Sequence, residues 1–176
     1  TQEQLIMSTC SGIGINSVSL RFQNVYGPGQ SLSNPYTGIL SIFSTQIKNN
    51  NSINVFEDGC ESRDFVYIDD IIDSIILSLE NEKSNNKYYN VGFGIPINVL
   101  KVAKTLIRIY KSEVKIKVTG NFRIGDIRHN YADINSIKSD LGYKPKFNFD
   151  TGINLFANWV NSQDTQKDTL NKSLIE

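Results

Sequence analysis

The chain has 176 residues, the length of about one domain, and its 39% of hydrophobic residues are enough to form a buried core. Eighteen basic residues balance eighteen acidic ones, so the basic excess that is usual in nucleic-acid-binding proteins is absent. No apolar run approaches the roughly 20 residues that a membrane-spanning helix needs, so we expect neither a nucleic acid nor a membrane as a partner.

Helices and strands are predicted to alternate along the chain, judged from the spacing of its apolar residues. In the first half the predicted elements are a helix over 2–11, a strand over 16–25, a helix over 37–48, strands over 53–56 and 63–68, and a helix that Asp69 and Asp70 open. In the second half they are a strand over 88–91, a helix over 97–110, a strand over 114–118, an irregular loop over 119–132, and helices over 134–141 and 151–160. Asp69 and Asp70 are expected to cap their helix, because carboxylates in a first turn suit both the cap and the helix dipole. The alternation indicates an α/β fold.

The cysteine and histidine content argues against a metal centre and against disulfide bonds. Cys10 and Cys60 lie far apart in the sequence, and His129 is the single histidine, so we do not expect a zinc cluster. The scarcity of cysteines and the lack of a signal-peptide pattern favour a cytoplasmic location. The first residue is not methionine, and we expect the chain to be a piece of a longer protein.

Taken by itself, the sequence contains no complete set of catalytic residues. Its Gly-x-Gly pairs, which begin at Gly12, Gly27 and Gly92, lack the third glycine of a dinucleotide-binding turn. No tyrosine is followed four residues later by a lysine, and a single histidine gives no basis for a Ser-His-Asp triad. Acyl-transfer and phosphoryl-transfer chemistry are therefore not supported, and we expect no catalytic residue in this chain.

Arginine is used sparingly, since the chain has thirteen lysines and only five arginines. A lysine-rich chain keeps arginine where a planar, bidentate contact with a phosphate or a carboxylate is needed. Arg108 falls in a helical pattern and is expected on the surface. The other four lie at strand ends or in loops, where a structural ion pair and a ligand contact both remain open: Arg21, Arg63, Arg123 and Arg128.

Four motifs follow one another along the chain. They are Leu20-Arg21-Phe22-Gln23-Asn24-Val25-Tyr26-Gly27-Pro28-Gly29, Ser62-Arg63-Asp64-Phe65-Val66-Tyr67-Ile68-Asp69-Asp70, Tyr89-Asn90-Val91-Gly92, and Arg123-x-Gly125-Asp126 followed by Ala132-Asp133. In this order and spacing they resemble the extended short-chain dehydrogenase/reductases. This is the family of NAD-dependent sugar-nucleotide epimerases and dehydratases, which includes UDP-galactose 4-epimerase and the dTDP-6-deoxyhexose epimerases.

The resemblance implies that residues 1–160 are the C-terminal, substrate-binding half of such an enzyme. This half consists of the late strands and helices of a Rossmann-like domain together with a small C-terminal substrate-binding domain. Residues 161–176 would form a polar tail that we expect to be poorly ordered. The dinucleotide-binding glycines and the Tyr-x-x-x-Lys of the family would precede residue 1, so the chain is not expected to be active alone.

The resemblance also assigns residues to a substrate site. The substrate-binding positions of the family fall on Asn24, Phe56, Arg63, Arg123 and Asp126. Asn24 and the two arginines would bind the diphosphate, and Asp126 would contact the ribose. Phe56 would pack near the base, although a plain core position is an equally open interpretation. Two guanidinium groups and an amide donor suit the roughly two negative charges of a diphosphate.

The implied cofactor is NAD or NADP, and Phe22 and Gln23 match positions that line its nicotinamide and the sugar. The implied substrate is a UDP-, dTDP- or other nucleoside-diphosphate sugar, used in polysaccharide or nucleotide-sugar biosynthesis. The whole enzyme is expected to be a homodimer. The alternative hypothesis is a non-catalytic module that binds a nucleoside diphosphate.

Overall fold

The computed structural model describes residues 2–33, 38–122 and 124–166. Its α-helices are α1 (Gln2–Gly12), α2 (Ile39–Lys48), α3 (Ile68–Glu80), α4 (Val99–Tyr110), α5 (Asn135–Leu141) and α6 (Phe149–Asn161), and Glu82–Ser84 form a 3-10 turn. Its strands are β1 (Val18–Phe22), β2 (Asn24–Tyr26), β3 (Ile53–Val55), β4 (Ser62–Tyr67), β5 (Lys87–Val91), β6 (Pro96–Asn98), β7 (Ile116–Val118) and β8 (His129–Asn130). The α/β class predicted from the sequence is confirmed. None of the described helices has both the length and the apolar character needed to cross a membrane.

The single strand predicted over 16–25 is two strands, because the chain changes partners at Gln23. β1 pairs in parallel with β5, with Phe22 beside Val91. β2 pairs in parallel with β4, with Asn24 beside Phe65. Between the two strands, the backbone N–H of Gln23 donates to the carbonyl of Val91 at 2.9 Å. Phe22 and Asn24 therefore lie at the junction between two sheets.

β4 pairs with three other strands and is the centre of the fold. Besides β2, it pairs antiparallel with β6 and in parallel with β8, while β3 and β7 form a separate parallel pair. Neither β6 nor β8 was predicted, because β6 lies at the beginning of the helix predicted over 97–110 and β8 lies inside the loop predicted over 119–132. The helix predicted over 97–110 begins only at Val99, after Asn98 accepts a capping hydrogen bond from the N–H of Lys101 at 2.7 Å.

Each face of β4 is covered by a different apolar cluster. Phe65 and Tyr67 belong to the cluster that joins β2, β3 and β4 to α2, α4 and α6. Val66, between them, belongs to the cluster that joins β5 and α5 to the sheet. This alternation follows from the two-residue period of a strand. β4 is thus buried on both faces and serves as a fixed base for the residues at its beginning.

Asp64 lies on the same face of β4 as Val66 and is completely buried. Its carboxylate accepts hydrogen bonds from the backbone N–H groups of Phe93 (2.9 Å), Gly94 (2.9 Å) and Ala132 (3.2 Å). These bonds tie the turn after β5 and the segment before α5 to the central strand. A side chain at Gly92 would collide with the Asp64 carboxylate, which explains the glycine at that position.

The expectation that Asp69 and Asp70 cap α3 is wrong, although both residues lie in its first turn. The residue that caps the helix is Tyr67, and its side chain makes no capping hydrogen bond. The carboxylate of Asp70 is fully buried and accepts from the backbone N–H groups of Lys146 (2.7 Å) and Phe147 (3.2 Å), so it anchors the segment that leads into α6. Burial raises the pKa of Asp70, and the two backbone donors oppose that shift. Asp69 is exposed in the first turn of α3.

Polar contacts attach α1 to β1. Glu3 accepts hydrogen bonds from Nε of Arg21 at 2.7 Å and from the hydroxyl of Ser19 at 2.8 Å, and these bonds lower the pKa of Glu3 to about 2. No residue of α1 is buried by the described part of the chain, and the side chains of Leu5 and Ile6 are exposed. The apolar side of this helix is therefore open in the described structure.

The predicted boundary at residue 160 falls one residue before the end of the last helix, because α6 continues to Asn161. The described chain then extends to residue 166, and Nζ of Lys48 donates to the carbonyls of Val160 (3.0 Å) and Gln163 (2.7 Å). The rest of the predicted tail, 167–176, lies outside the described residues.

Candidate functional site

Arg63 is fixed by three hydrogen bonds at the beginning of β4. Its Nη2 donates to Oδ1 of Asp126 at 2.7 Å, and its Nη1 donates to the carbonyls of Ser62 (2.9 Å) and Arg128 (3.0 Å). The Arg63 side chain is 17% exposed, whereas that of Asp126 is 49% exposed. Two residues assigned to the substrate site from the sequence are therefore in direct contact, and the guanidinium group is held in one orientation at the surface.

The short strand β8 brings Asp126 to Arg63. In this strand His129 pairs with Ser62 and Asn130 pairs with Arg63. The backbone N–H of Ser62 donates to the carbonyl of Arg128 at 3.0 Å, and the Ser62 hydroxyl lies 2.9 Å from Nδ1 of His129. The loop that follows β7 thus folds back over the beginning of β4. Without this path, the charged residues of the loop could not reach Arg63.

Asn24 lies on β2, the strand next to the one that carries Arg63. It pairs with Phe65, and Arg63 precedes Phe65 by two residues, so the side chains of Asn24 and Arg63 leave the same face of the sheet. Two residues along a strand correspond to about 7 Å, which is within the span of a diphosphate and its attached sugar or ribose. Asn24 is partly buried. The strand pairing therefore gives the amide and the guanidinium group a common surface.

Phe22 and Gln23, the two residues assigned to the cofactor, lie where the chain passes from the sheet of β1 to the sheet of β2. The side chain of Phe22, at the end of β1, is 44% exposed. Oε1 of Gln23 is buried and accepts no hydrogen bond from the described residues. A buried carbonyl oxygen without a donor costs free energy, and an amide N–H from a ligand would remove that cost.

Phe56 follows β3 directly and is half-buried. Its partial burial is compatible with a core position and with a contact to a base, so both interpretations remain open. Backbone bonds from Thr119 to Val55 (2.9 Å) and from Glu57 to Asn121 (2.8 Å) bring the segment after β7 alongside this position. That segment leads to residue 123.

Arg123, the second arginine assigned to the diphosphate, lies outside the described residues. Its neighbour in sequence, Arg128, is engaged with two carboxylates: Nη1 is 2.7 Å from Oε2 of Glu57 and Nη2 is 2.6 Å from Oδ2 of Asp58. These contacts raise the pKa of Arg128, with Asp58 as the main cause. The pKa of Asp58 is lowered mainly by the hydrogen bond from the backbone N–H of Cys60 and further by Arg128. Arg128 therefore acts as a structural ion-pair residue in this arrangement.

Sequence reasoning missed Asp64, which holds the site together without lining it. The available signal was a carboxylate inside a short strand of alternating aromatic and apolar residues, where a charged side chain must find buried partners. Two open clefts among the described residues, of about 710 Å³ beside Tyr131 and about 650 Å³ beside Arg108, include none of the predicted site residues.

The first part of the chain matches a family model. Residues 1–92 match the family described as the NAD dependent epimerase/dehydratase family. Among curated proteins, the dTDP-L-rhamnose 4-epimerase of Burkholderia thailandensis is 39% identical over 141 residues. The match covers 80% of this chain but 39% of that protein.

Solved structures of similar fold extend the comparison. The UDP-N-acetylglucosamine 4-epimerase of Methanobrevibacter ruminantium, in complex with UDP-N-acetylmuramic acid, superposes with a TM-score of 0.84 at 30% identity, over 92% of this chain and 51% of that one. The UDP-glucuronic acid 4-epimerase of Bacillus cereus, in complex with UDP-glucuronic acid and NAD, gives a TM-score of 0.80 at 25% identity, over 90% of this chain and 49% of that one. The chain spans about half the length of these structures and 39% of the curated relative.

Proposed function

The chain belongs to the NAD dependent epimerase/dehydratase family, and we propose that it is the nucleotide-sugar-binding part of an NAD-dependent sugar-nucleotide epimerase or dehydratase. The relatives named above are 4-epimerases of dTDP- or UDP-linked sugars, which supports a nucleoside-diphosphate hexose as the substrate. We further propose that residues 1–160 form the C-terminal half of the enzyme, with residues 161–176 as its tail.

The observation that carries this proposal is the hydrogen-bonded Arg63 beside Asn24. A guanidinium group has five N–H donors, and three of those of Arg63 are used by Asp126 and two carbonyls of the described chain. Two donors remain for the oxygens of a phosphate, at an orientation that the other three bonds fix. Because Asp126 is half-exposed, it can accept from a ribose hydroxyl with the oxygen that Arg63 does not use.

We propose NAD as the cofactor, held in part by Phe22 and Gln23. The unpaired, buried Oε1 of Gln23 is an acceptor that suits the carboxamide N–H of a nicotinamide. When bound, the cofactor supplies reversible hydride transfer with a carbon of the sugar. The residues of this chain would bind and orient the diphosphate and exclude water, while proton transfer would fall to residues outside it.

We propose that the whole protein acts in the cytoplasm as a homodimer, in polysaccharide or nucleotide-sugar biosynthesis. The two free thiols, Cys10 and Cys60, are compatible with a reducing compartment. The open apolar side of α1, with Leu5 and Ile6 exposed, is compatible with pairing through this helix.

If Arg63 and Asn24 bind a diphosphate, then dTDP and UDP will bind more tightly than dTMP and UMP. We expect a difference of about 1.5–3 kcal/mol, the contribution of a hydrogen bond to a charged group, because the second phosphate adds such a bond to Arg63. Isothermal titration calorimetry on the chain measures it directly. Equal affinities for the monophosphates and diphosphates would contradict the diphosphate site.

The 176-residue polypeptide alone is expected to produce no epimer from UDP- or dTDP-hexoses with added NAD. The sequence contains neither a Tyr-x-x-x-Lys nor a three-glycine dinucleotide turn, so it lacks the proton-transfer group and the pyrophosphate cradle. Product formation can be followed by NMR of the sugar protons, with the B. thailandensis epimerase as the positive control. Turnover above the rate without protein would show that this chain carries catalytic residues of its own.

A further inference from the structure

Three carboxylates converge at the turn between β3 and β4. Glu57, Asp58 and Glu61 each place one carboxylate oxygen within 4.8 Å of the other two. The turn is tight: Glu57 has a φ of 43°, Gly59 has a φ of 76°, and the N–H of Gly59 donates to the carbonyl of Phe56 at 3.1 Å. The backbone therefore directs the three acidic side chains toward one point.

Glu61 distinguishes this group from an ordinary acidic surface. The residue is only 7% exposed, and its Oε1 is buried with no hydrogen-bond donor among the described residues. Its backbone carbonyl accepts from the N–H of Val99 at 2.9 Å, so the residue is fixed beside the beginning of α4. Burial raises the pKa of its carboxyl, and the nearby carboxylates of Glu57 and Asp58 add to this shift. A buried carboxylate oxygen without a partner is costly, and either a proton or a bound cation removes that cost.

The charges that face this oxygen do not balance. Arg128 donates to Oε2 of Glu57 and Oδ2 of Asp58, and Oδ1 of Asp58 accepts from the N–H of Cys60 at 2.9 Å. Of the described residues bonded to the three carboxylates, Arg128 contributes one positive charge, whereas the carboxylates contribute three negative charges when ionised. Within the described part of the chain, the remaining charge of about minus two equals that of one divalent cation with opposite sign.

We propose that Glu57, Asp58 and Glu61 form a binding site for one hard divalent cation of the calcium and magnesium type. All the donors are carboxylate oxygens, which these cations prefer, and the site contains no histidine or thiolate ligand that would favour a softer metal. The buried carboxylate of Glu61 would be the central ligand, and water would complete the coordination shell.

This cation would act on the substrate site through Arg128. The carbonyl of Arg128 accepts a hydrogen bond from Arg63 at 3.0 Å, and the Arg128 side chain is bonded to two of the proposed ligands. The cation would thereby stabilise the loop that carries Asp126 and Arg128 against β4. Its role is structural, and the inference does not depend on the identity of the substrate.

Isothermal titration calorimetry with CaCl2 and with MgCl2 tests the site on the 176-residue chain. We expect one site for at least one of the two cations, with an affinity in the range of known carboxylate sites, a Kd of about 1 mM or tighter. Glu61→Gln keeps the shape of the side chain and removes its charge, and should weaken binding by about tenfold or more. Glu82→Gln changes an exposed acidic residue on the 3-10 turn and serves as the matched control, with unchanged binding.

A thermal melt without added cation gives an independent readout. Because Glu61→Gln removes an unpaired buried charge, this variant should melt at or above the temperature of the parent chain and gain nothing from CaCl2 or MgCl2. Glu57→Gln, at a partly exposed ligand, gives a second test of the calorimetric loss if Glu61→Gln does not fold. No binding of either cation at about 10 mM, or equal binding by the Glu61 and Glu82 variants, would overturn the proposal.

Discussion

Replacing Asp64 with alanine is expected to destabilise the chain by about 3–5 kcal/mol. The substitution leaves the backbone N–H groups of Phe93, Gly94 and Ala132 without their acceptor, and an unsatisfied buried donor costs about 1–3 kcal/mol. The three losses are not strictly additive, because the turn at Gly92 can relax into the space that the carboxylate occupied. Urea unfolding followed by circular dichroism measures the change in the free energy of unfolding.

Two further variants separate the role of the hydrogen bonds from that of the charge. Asp64→Asn keeps one carbonyl acceptor and should lose less than Asp64→Ala. Asp69→Ala, five positions along the chain and exposed, removes a carboxylate with no buried partner and should change stability by about 0.5 kcal/mol or less. Equal destabilisation by the Asp64 and Asp69 substitutions would mean that the chain responds to net charge and not to the three buried bonds.

The fold class was predictable because its long elements have clear periods. The apolar spacing of α2, α4 and α6 defines helices within about two residues of their observed ends. The strand junction at Gln23 could not be predicted in this way. The alternation of apolar and polar residues that begins at Val18 breaks at the consecutive polar residues Gln23 and Asn24, but such a break does not by itself show a change of partner. Only the pairing of β1 with β5 and of β2 with β4 divides the segment into two strands. Strand partners depend on tertiary structure, which local periodicity does not encode.

The candidate site was predictable to a similar extent. The scarcity of arginine and the four motifs both indicated Arg63, but neither could give its partner, because Arg63 and Asp126 are 63 residues apart in sequence. Their contact depends on β8, a strand of two residues inside a predicted loop. Asp70 illustrates the opposite error: its position in a first helical turn fits a capping rule, but its buried carboxylate binds a distant backbone segment instead.

Arg63→Ala is expected to weaken the binding of a UDP- or dTDP-sugar by about 2–4 kcal/mol, roughly 30- to 900-fold. This range applies to the removal of one partner from a desolvated, hydrogen-bonded charge pair, and Arg63 is four-fifths buried with two N–H donors still available to the ligand. Arg63→Lys should recover only part of the loss, because an ammonium group keeps the charge without the planar fork. Calorimetric titration of the nucleotide sugar into the protein that carries this chain measures both changes.

Arg108→Ala is the matched control, because Arg108 lies exposed on α4 and none of the predicted site residues shares its helix. We expect its effect on binding to stay within about 0.5 kcal/mol, as for other surface substitutions. Arg63 also ties the Arg128 loop to β4, so urea unfolding of each variant must show that the fold is retained before binding is compared. With the fold intact, equal losses for Arg63→Ala and Arg108→Ala would mean that the arginines act through general charge, and the assignment of Arg63 to the diphosphate would be wrong. A loss confined to Arg63→Ala, partly recovered by lysine, would require a directional contact between the guanidinium fork and the phosphate oxygens.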